Sequence, residues 1–205
     1  MKRLQEQQII DDLKKKMVFL TGPRQVGKTW LAKEVAKSIS DSLYLNYDSI
    51  EDRKIIKNEA WLNNTQLLIL DELHKMKGWK NYLKGVYDTK PDHMMILVTG
   101  SARLEVMRQT GDSLAGRFFR HRLLPFSPAE LSHLNESVEF EKFLERGGFP
   151  EPFLERSERH HRQWLRERRV LIVREDLRDL TRIRLLSHVE ELVERLKAAP
   201  GLPGL

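Results

Sequence analysis

Short apolar runs alternating with helical patterns predict an α/β fold, in which a five-stranded parallel sheet carries helices on both faces and an all-helical segment follows. Three observations carry this expectation. The runs at 17–20, 67–70 and 94–98 are apolar without alternation, as strands buried on both faces are. The stretches between them carry apolar residues at helical spacing. The first run leads directly into a glycine-bounded loop, and a helical pattern begins where the loop ends.

Taken in order, Leu4, Ile9, Ile10 and Leu13 predict a helix that leads into the first strand at 17–20. Beyond the loop, Trp30, Leu31, Val35 and Ile39 mark one face of a second helix. Residues 42–47 read as a second strand, the charged stretch 51–59 as a helix, and 66–71 as the third strand. A helix over about 78–87 leads past Pro91 to the fourth strand at 94–99. A further helix is expected near 102–109, with the fifth strand at 118–124. From Ser127 onward only helical patterns remain. The expected division is therefore an α/β domain at 1–126, a helical lid and linker at 127–197, and a disordered tail at 198–205 whose Pro/Gly composition cannot build a core.

The 205 residues suffice for one domain of ordinary size and a small appendage. The polar N-terminus lacks the apolar core of a secretory signal, and no run is long enough to span a bilayer, so no membrane association is expected. The absence of cysteine excludes disulfides, thiol catalysis and thiolate zinc sites, and it fits a reducing cytoplasm, where the chain is expected to reside. The seven histidines are scattered apart from His160 and His161, so no metal is expected beyond one that accompanies a phosphorylated ligand. Residues 156–197 hold 12 Lys/Arg against 8 Asp/Glu, which accounts for most of the net charge of +6. The basic helices over 159–184 are thus a candidate surface for DNA.

The chemistry concentrates in the loop. Gly22, Pro23, Arg24, Gln25, Val26, Gly27, Lys28 and Thr29 match the phosphate-binding pattern G-x-x-x-x-G-K-[ST] at every constrained position. A tight turn lets backbone N–H groups converge on one point, which glycine permits and a Cβ obstructs. The helix from Gly27 adds unpaired N–H groups and the positive end of its dipole. In that pattern Lys28 reaches the β/γ-phosphates and the Thr29 hydroxyl ligates Mg²⁺, so ATP and Mg²⁺ are the expected ligands. Asp71 ends the third strand, where a second Mg²⁺ contact is needed. Glu72 is positioned to orient or deprotonate an attacking water. At the tip of the fourth strand Thr99 and Ser101 both qualify to hydrogen-bond the water or the γ-phosphate, and the sequence does not choose between them.

With these residues in hand, GPRQVGKT, LLILDELHK, Trp79, ILVTGSA, GDSLAGRF, LLPFSPAEL and GGFPE, in this order and spacing, resemble the AAA+ ATPases. The closest likeness is to the prokaryotic group whose ATPase module precedes a C-terminal domain of unknown function, and it extends over about residues 1–195. The resemblance implies the P-loop NTPase three-layer fold with strand order 5-1-4-3-2. It also implies that Arg117 is an arginine finger reaching a neighbouring subunit's ATP, hence a homo-oligomer. Within 147–151, Pro150 belongs to a Gly-x-Pro element that senses nucleotide from the lid. Two departures stand out. The position after Thr29, often a hydroxyl residue that contacts the α-phosphate, is Trp30, leaving that contact to its backbone N–H. Members of the group also continue with winged-helix-like and nuclease-like segments, so the chain is expected to be truncated. His74 and Lys75 belong to the group's pattern, with no chemical role beyond packing near Glu72.

The leading expectation is an ATPase that cleaves ATP to ADP and phosphate and acts as a nucleotide-dependent switch. A P-loop kinase competes with it, but an Asp-Glu pair followed by a polar fourth-strand tip favours water as the acceptor. A nucleic-acid-binding module with the same fold is the third reading, and its mark would be salt-dependent DNA binding indifferent to nucleotide.

Overall fold

A computed structural model of the protein describes residues 3–100, 114–132, 140–155, 157–172 and 195. Among these, five strands, β1 (Met17–Thr21), β2 (Ser42–Asn46), β3 (Leu67–Asp71), β4 (Met95–Thr99) and β5 (Phe118–Arg122), form one sheet in the order β2-β3-β4-β1-β5. Every pairing is parallel. Read from the other edge this is 5-1-4-3-2, the order that the resemblance implies. Helices α1 (Glu6–Leu13), α2 (Lys28–Lys37), α3 (Ile50–Asn58) and α4 (Trp79–Thr89) supply the flanking layers. The expected helix near 102–109 lies outside the described residues.

The continuous apolar runs are explained by the two cores they serve. Val18, Leu20, Leu67, Ile69 and Leu97 project to the α1/α2 side, where they join Ile9, Leu13, Leu31 and Val35. The intervening Met17, Phe19, Leu68, Leu70, Ile96 and Val98 project to the other side, against Ile56, Leu83 and Val86 from α3 and α4. With a period of two, both faces of a central strand must be apolar when both are covered. Polar residues enter only at the carboxyl ends, as Thr21, Asp71 and Thr99, and there the site is built.

The loop after β1 is held by the chain that leaves β5. The Leu123 N–H donates to the Thr21 carbonyl oxygen at 2.8 Å. A Cβ on Gly22 (φ +141°) would penetrate the Leu123 carbonyl oxygen, so only glycine lets the two backbones approach this closely. From there the chain is tied onward, since the Phe126 N–H donates to the Gly148 carbonyl at 2.7 Å. Gly148 in turn has no room for a Cβ against Phe126 O. Phe126, Leu131 and Phe153 form a small core of their own, with Phe143 packed on it.

That core gathers α5 (Pro128–Ser132), α6 (Phe140–Arg146) and α7 (Pro150–Leu154) around Phe126, on the chain that leaves β5. Residues 1–154 accordingly make one compact unit and 155–205 a second, so the division expected at 126/127 falls inside the first unit. In the second unit the described helix is α8 (Glu158–Leu171), on which Arg159, Arg162 and Arg166 are exposed. The rest of the basic stretch, 173–184, lies outside the described residues. Among the described residues no helix is long and apolar enough to cross a membrane.

Candidate functional site

Strands β3, β4 and β1 are neighbours, so Asp71, Thr99 and the loop after Thr21 meet at the carboxyl ends of the central strands. Gly27 sits at φ +93° and caps α2, and Gln25 is left-handed at φ +63°, turns that curl 22–27 over the start of the helix. Lys28 is the first residue of α2 and is 8% exposed. Its Nζ donates to the Gly22 carbonyl at 3.0 Å and to the Pro23 carbonyl at 2.7 Å. A cation is thus lodged against the loop's own backbone.

Thr29 follows on the same helical turn, and its hydroxyl donates to Asp71 Oδ2 at 2.8 Å. The two residues expected to share a metal are therefore in contact across the α2/β3 interface. The Thr99 hydroxyl also donates to Asp71, through Oδ1, and Thr99 is fully buried. Sequence reasoning left Thr99 or Ser101 to read the γ-phosphate. In the structure the Thr99 proton is committed to Asp71, and Ser101 lies outside the described residues. A third donor was not anticipated: Tyr44, in the middle of β2, donates its phenolic proton to Asp71 Oδ2 at 2.6 Å. A tyrosine within a strand reads as core, and nothing local in the sequence distinguishes this one.

Glu72 departs from its neighbour. It leaves the strand in a left-handed conformation (φ 57°), and its Oε2 lies 3.2 Å from Lys75 Nζ and 3.7 Å from His74 Nε2. Lys75 also donates to Asp48 Oδ2 at 2.5 Å. Burial by itself lowers the Lys75 pKa, but the Asp48 hydrogen bond and the Glu72 charge outweigh it and raise the value. The turn at 73–75, to which sequence reasoning gave no chemistry, thus supplies the charge partner of Glu72.

Beside the loop lies an apolar cavity of about 350 Å³, lined by Arg3, Val26, Gly27, Trp30, Phe126 and Pro150 among others. Trp30, 39% exposed, borders it. Pro150 Cγ lies 3.9 Å from where a Cβ on Gly27 would be, so the 147–154 segment reaches the phosphate-type loop. Arg3 is buried at the cavity wall, with its guanidinium 4.6 Å from the Phe126 ring centre and 3.1 Å from Glu130, and it donates to the Leu124 carbonyl. Burial lowers its pKa and Glu130 opposes that shift.

Arg117 stands apart. Its carbonyl accepts from the Met17 N–H at 3.2 Å, which puts it at the start of β1, at the opposite end of the strand from the loop. Five residues of strand, about 16 Å, separate it from its own loop. Its guanidinium forks onto Asp88 of α4, Nε to Oδ1 at 2.8 Å and Nη2 to Oδ2 at 3.1 Å. That bidentate hydrogen bond holds the Asp88 carboxyl below the usual range.

Comparison with known proteins adds the following. A family described as an AAA domain matches residues 14–132, more than half of the chain. Uncharacterised proteins of Mycobacterium bovis and Mycobacterium tuberculosis are each 28% identical over 149 residues, 72% of this chain and 33% of their own length. The chain thus spans about a third of the curated relatives it matches. Among solved structures, AMPPCP-bound DnaA from Aquifex aeolicus aligns at a TM-score of 0.48 and 14% identity, over 85% of this chain and 63% of that one. Bacteroides Pif1 bound to ssDNA aligns at 0.38 and 14% identity, over 66% and 45%.

Proposed function

The chain belongs to the AAA domain family of P-loop ATPases, and from that premise we propose that it binds ATP at the loop 22–29 and hydrolyses it to ADP and phosphate in a Mg²⁺-dependent reaction. The observation that carries the reading is the Thr29–Asp71 contact at 2.8 Å beside a glycine-built loop. Their hydroxyl and carboxylate oxygens suit a hard cation, and these two side chains would hold Mg²⁺. The ion would neutralise charge on the β/γ-phosphates.

In this reading Lys28 exchanges the carbonyls of Gly22 and Pro23 for phosphate oxygens. The backbone N–H groups of 23–28 face the β-phosphate, and the Trp30 N–H takes the α-phosphate. The base enters the apolar cavity beside Gly27, where the Trp30 ring offers a stacking surface. Glu72 accepts a proton from water as the water oxygen attacks the γ-phosphorus. The bond from that phosphorus to the β–γ bridging oxygen breaks, and its electron pair leaves with ADP. Ser101 is the remaining hydroxyl to read the γ-phosphate. Pro150, packed near Gly27, couples the bound nucleotide to α7, which makes the protein a nucleotide-dependent switch. Arg117, facing away from its own loop, serves a neighbour's ATP in a homo-oligomer.

The test separates binding from cleavage. Lys28→Ala should lose affinity for a fluorescent ATP analogue, whereas Glu72→Gln should bind it nearly as the wild type does and release no phosphate. Wild-type turnover by Glu72→Gln would remove the general base from this scheme.

A further inference from the structure

The carboxylate of Asp71 is unusually well furnished with donors. Oδ1 accepts from Thr99, and Oδ2 accepts both from Thr29 at 2.8 Å and from Tyr44 at 2.6 Å. The register accounts for the third donor. Tyr44 pairs with Ile69, two residues before Asp71 on the same face of β3, so a phenol leaning along the strand brings its hydroxyl to the carboxylate. The ring is held in turn from α2, where Lys33 Nζ lies 4.8 Å from its centre, four residues after Thr29.

A hydroxyl that ligates a cation does so through an oxygen lone pair, and the direction of its lone pairs is set by where its proton goes. The Thr29 proton goes to Asp71 Oδ2. Whatever fixes that oxygen therefore fixes the lone pairs of Thr29. Thr99 fixes the other oxygen of the carboxylate, and among the described residues Tyr44 is the other side-chain donor to Oδ2.

We propose that Tyr44 is a positioning residue of the metal site, holding Asp71 Oδ2 so that the Thr29 hydroxyl presents its lone pairs to the cation. This rests on the Mg²⁺ reading of Thr29 and Asp71 given above. Tyr44 touches neither nucleotide nor metal; it acts through Asp71. Loss of such an outer partner typically weakens metal affinity by about 10- to 100-fold.

The measurement is the affinity of the full chain for a fluorescent ATP analogue in excess EDTA and in saturating Mg²⁺, the ratio of the two reporting the contribution of the metal. Thermal midpoints in EDTA are recorded alongside. Tyr44→Phe should lower the ratio by about 10- to 100-fold while its EDTA-state affinity and midpoint stay at wild-type values. The Mg²⁺ concentration giving half-maximal binding should rise in step. Thr29→Val serves as the control for the underlying reading. If Thr29→Val leaves the ratio intact, the metal assignment itself fails. If Thr29→Val collapses the ratio but Tyr44→Phe preserves or increases it, the metal assignment stands and the role of Tyr44 is overturned. Loss of EDTA-state binding by Tyr44→Phe overturns it too, because the tyrosine would then be holding the fold rather than the metal site.

Discussion

Two adjacent acids, Asp71 and Glu72, meet different surroundings, and the difference is set by backbone parity and one left-handed residue. Asp71 continues the α2 face of β3 and collects three hydroxyls. Glu72, at φ 57°, turns out of the strand and meets Lys75 and His74. At the far end of the sheet the residue-scale question is what Arg117 does within a single protomer. Its fork onto Asp88 depresses that carboxyl's pKa, so Arg117→Ala should return the Asp88 titration upward toward the ordinary carboxylate value, followed by carboxyl-carbon NMR. The linkage has a definite sign. A depressed folded-state pKa contributes stability at pH values above the unfolded value of about 3.9, and the contribution disappears as pH falls through the lower folded value. Because the pair lies at the surface, where ion pairs contribute little to stability, the measurable effect is on titration rather than on melting. An Asp88 titration unmoved by Arg117→Ala would mean that the fork is not populated in solution.

Among elements, the connection that matters runs from β1 through the loop to the chain after β5 and on to α7. Gly22 abuts Leu123, Gly148 abuts Phe126, and Pro150 returns to Gly27. Each contact is backbone against backbone or ring against backbone, so a single added methyl group tests it. Gly22→Ala combines a φ of +141° with a blocked Cβ and should lower stability in urea by more than the roughly 1 kcal/mol typical of a glycine-to-alanine mismatch. Gly148→Ala should loosen 147–154 while leaving the sheet intact. Its expected signature is faster amide exchange in α7, with unchanged protection in β1 and β3. Equal loss of protection in strands and α7 would show that the segment is part of the sheet's own cooperative unit instead.

At the scale of the whole molecule, the candidate machinery occupies both ends of the strands. The loop, Asp71 and Glu72 are at the carboxyl ends, and Arg117 is at the amino ends, about 16 Å of strand away. One protomer cannot join them; in the homo-oligomer proposed above a neighbour would. An arginine finger supplied in trans contributes on the order of 10³-fold or more to phosphoryl transfer. Specific ATPase activity should therefore rise with protein concentration, and Arg117→Ala should abolish the rise without loss of ATP binding. Mixing Arg117→Ala with Glu72→Gln, each inactive alone, should recover part of the rate. Concentration-independent turnover together with a dead mixture would leave Arg117 as the partner of Asp88 alone.

What the sequence determined by itself was whatever is encoded locally. Five strands, the helices α1 to α4 and the glycine-bounded loop follow from periodicity and from residues whose conformational limits are their own, and all five strands were found within a few residues of expectation. The approach of Thr29 to Asp71, 42 positions apart, was legible because the loop pattern and the acidic strand end each carry a recognisable signature. The contacts of Tyr44 with Asp71, of Lys75 with Asp48 and of Arg117 with Asp88 were not, although they span only 27 to 29 positions. Each joins residues on different elements, and which side chains meet is settled by strand order, register and crossover packing, not by any residue's own preference. For the same reason the tie between Phe126 and Gly148 was not legible. Two backbones that touch through a missing Cβ leave no hydrophobic pattern to read, and only the folded chain brings Gly148 against Phe126.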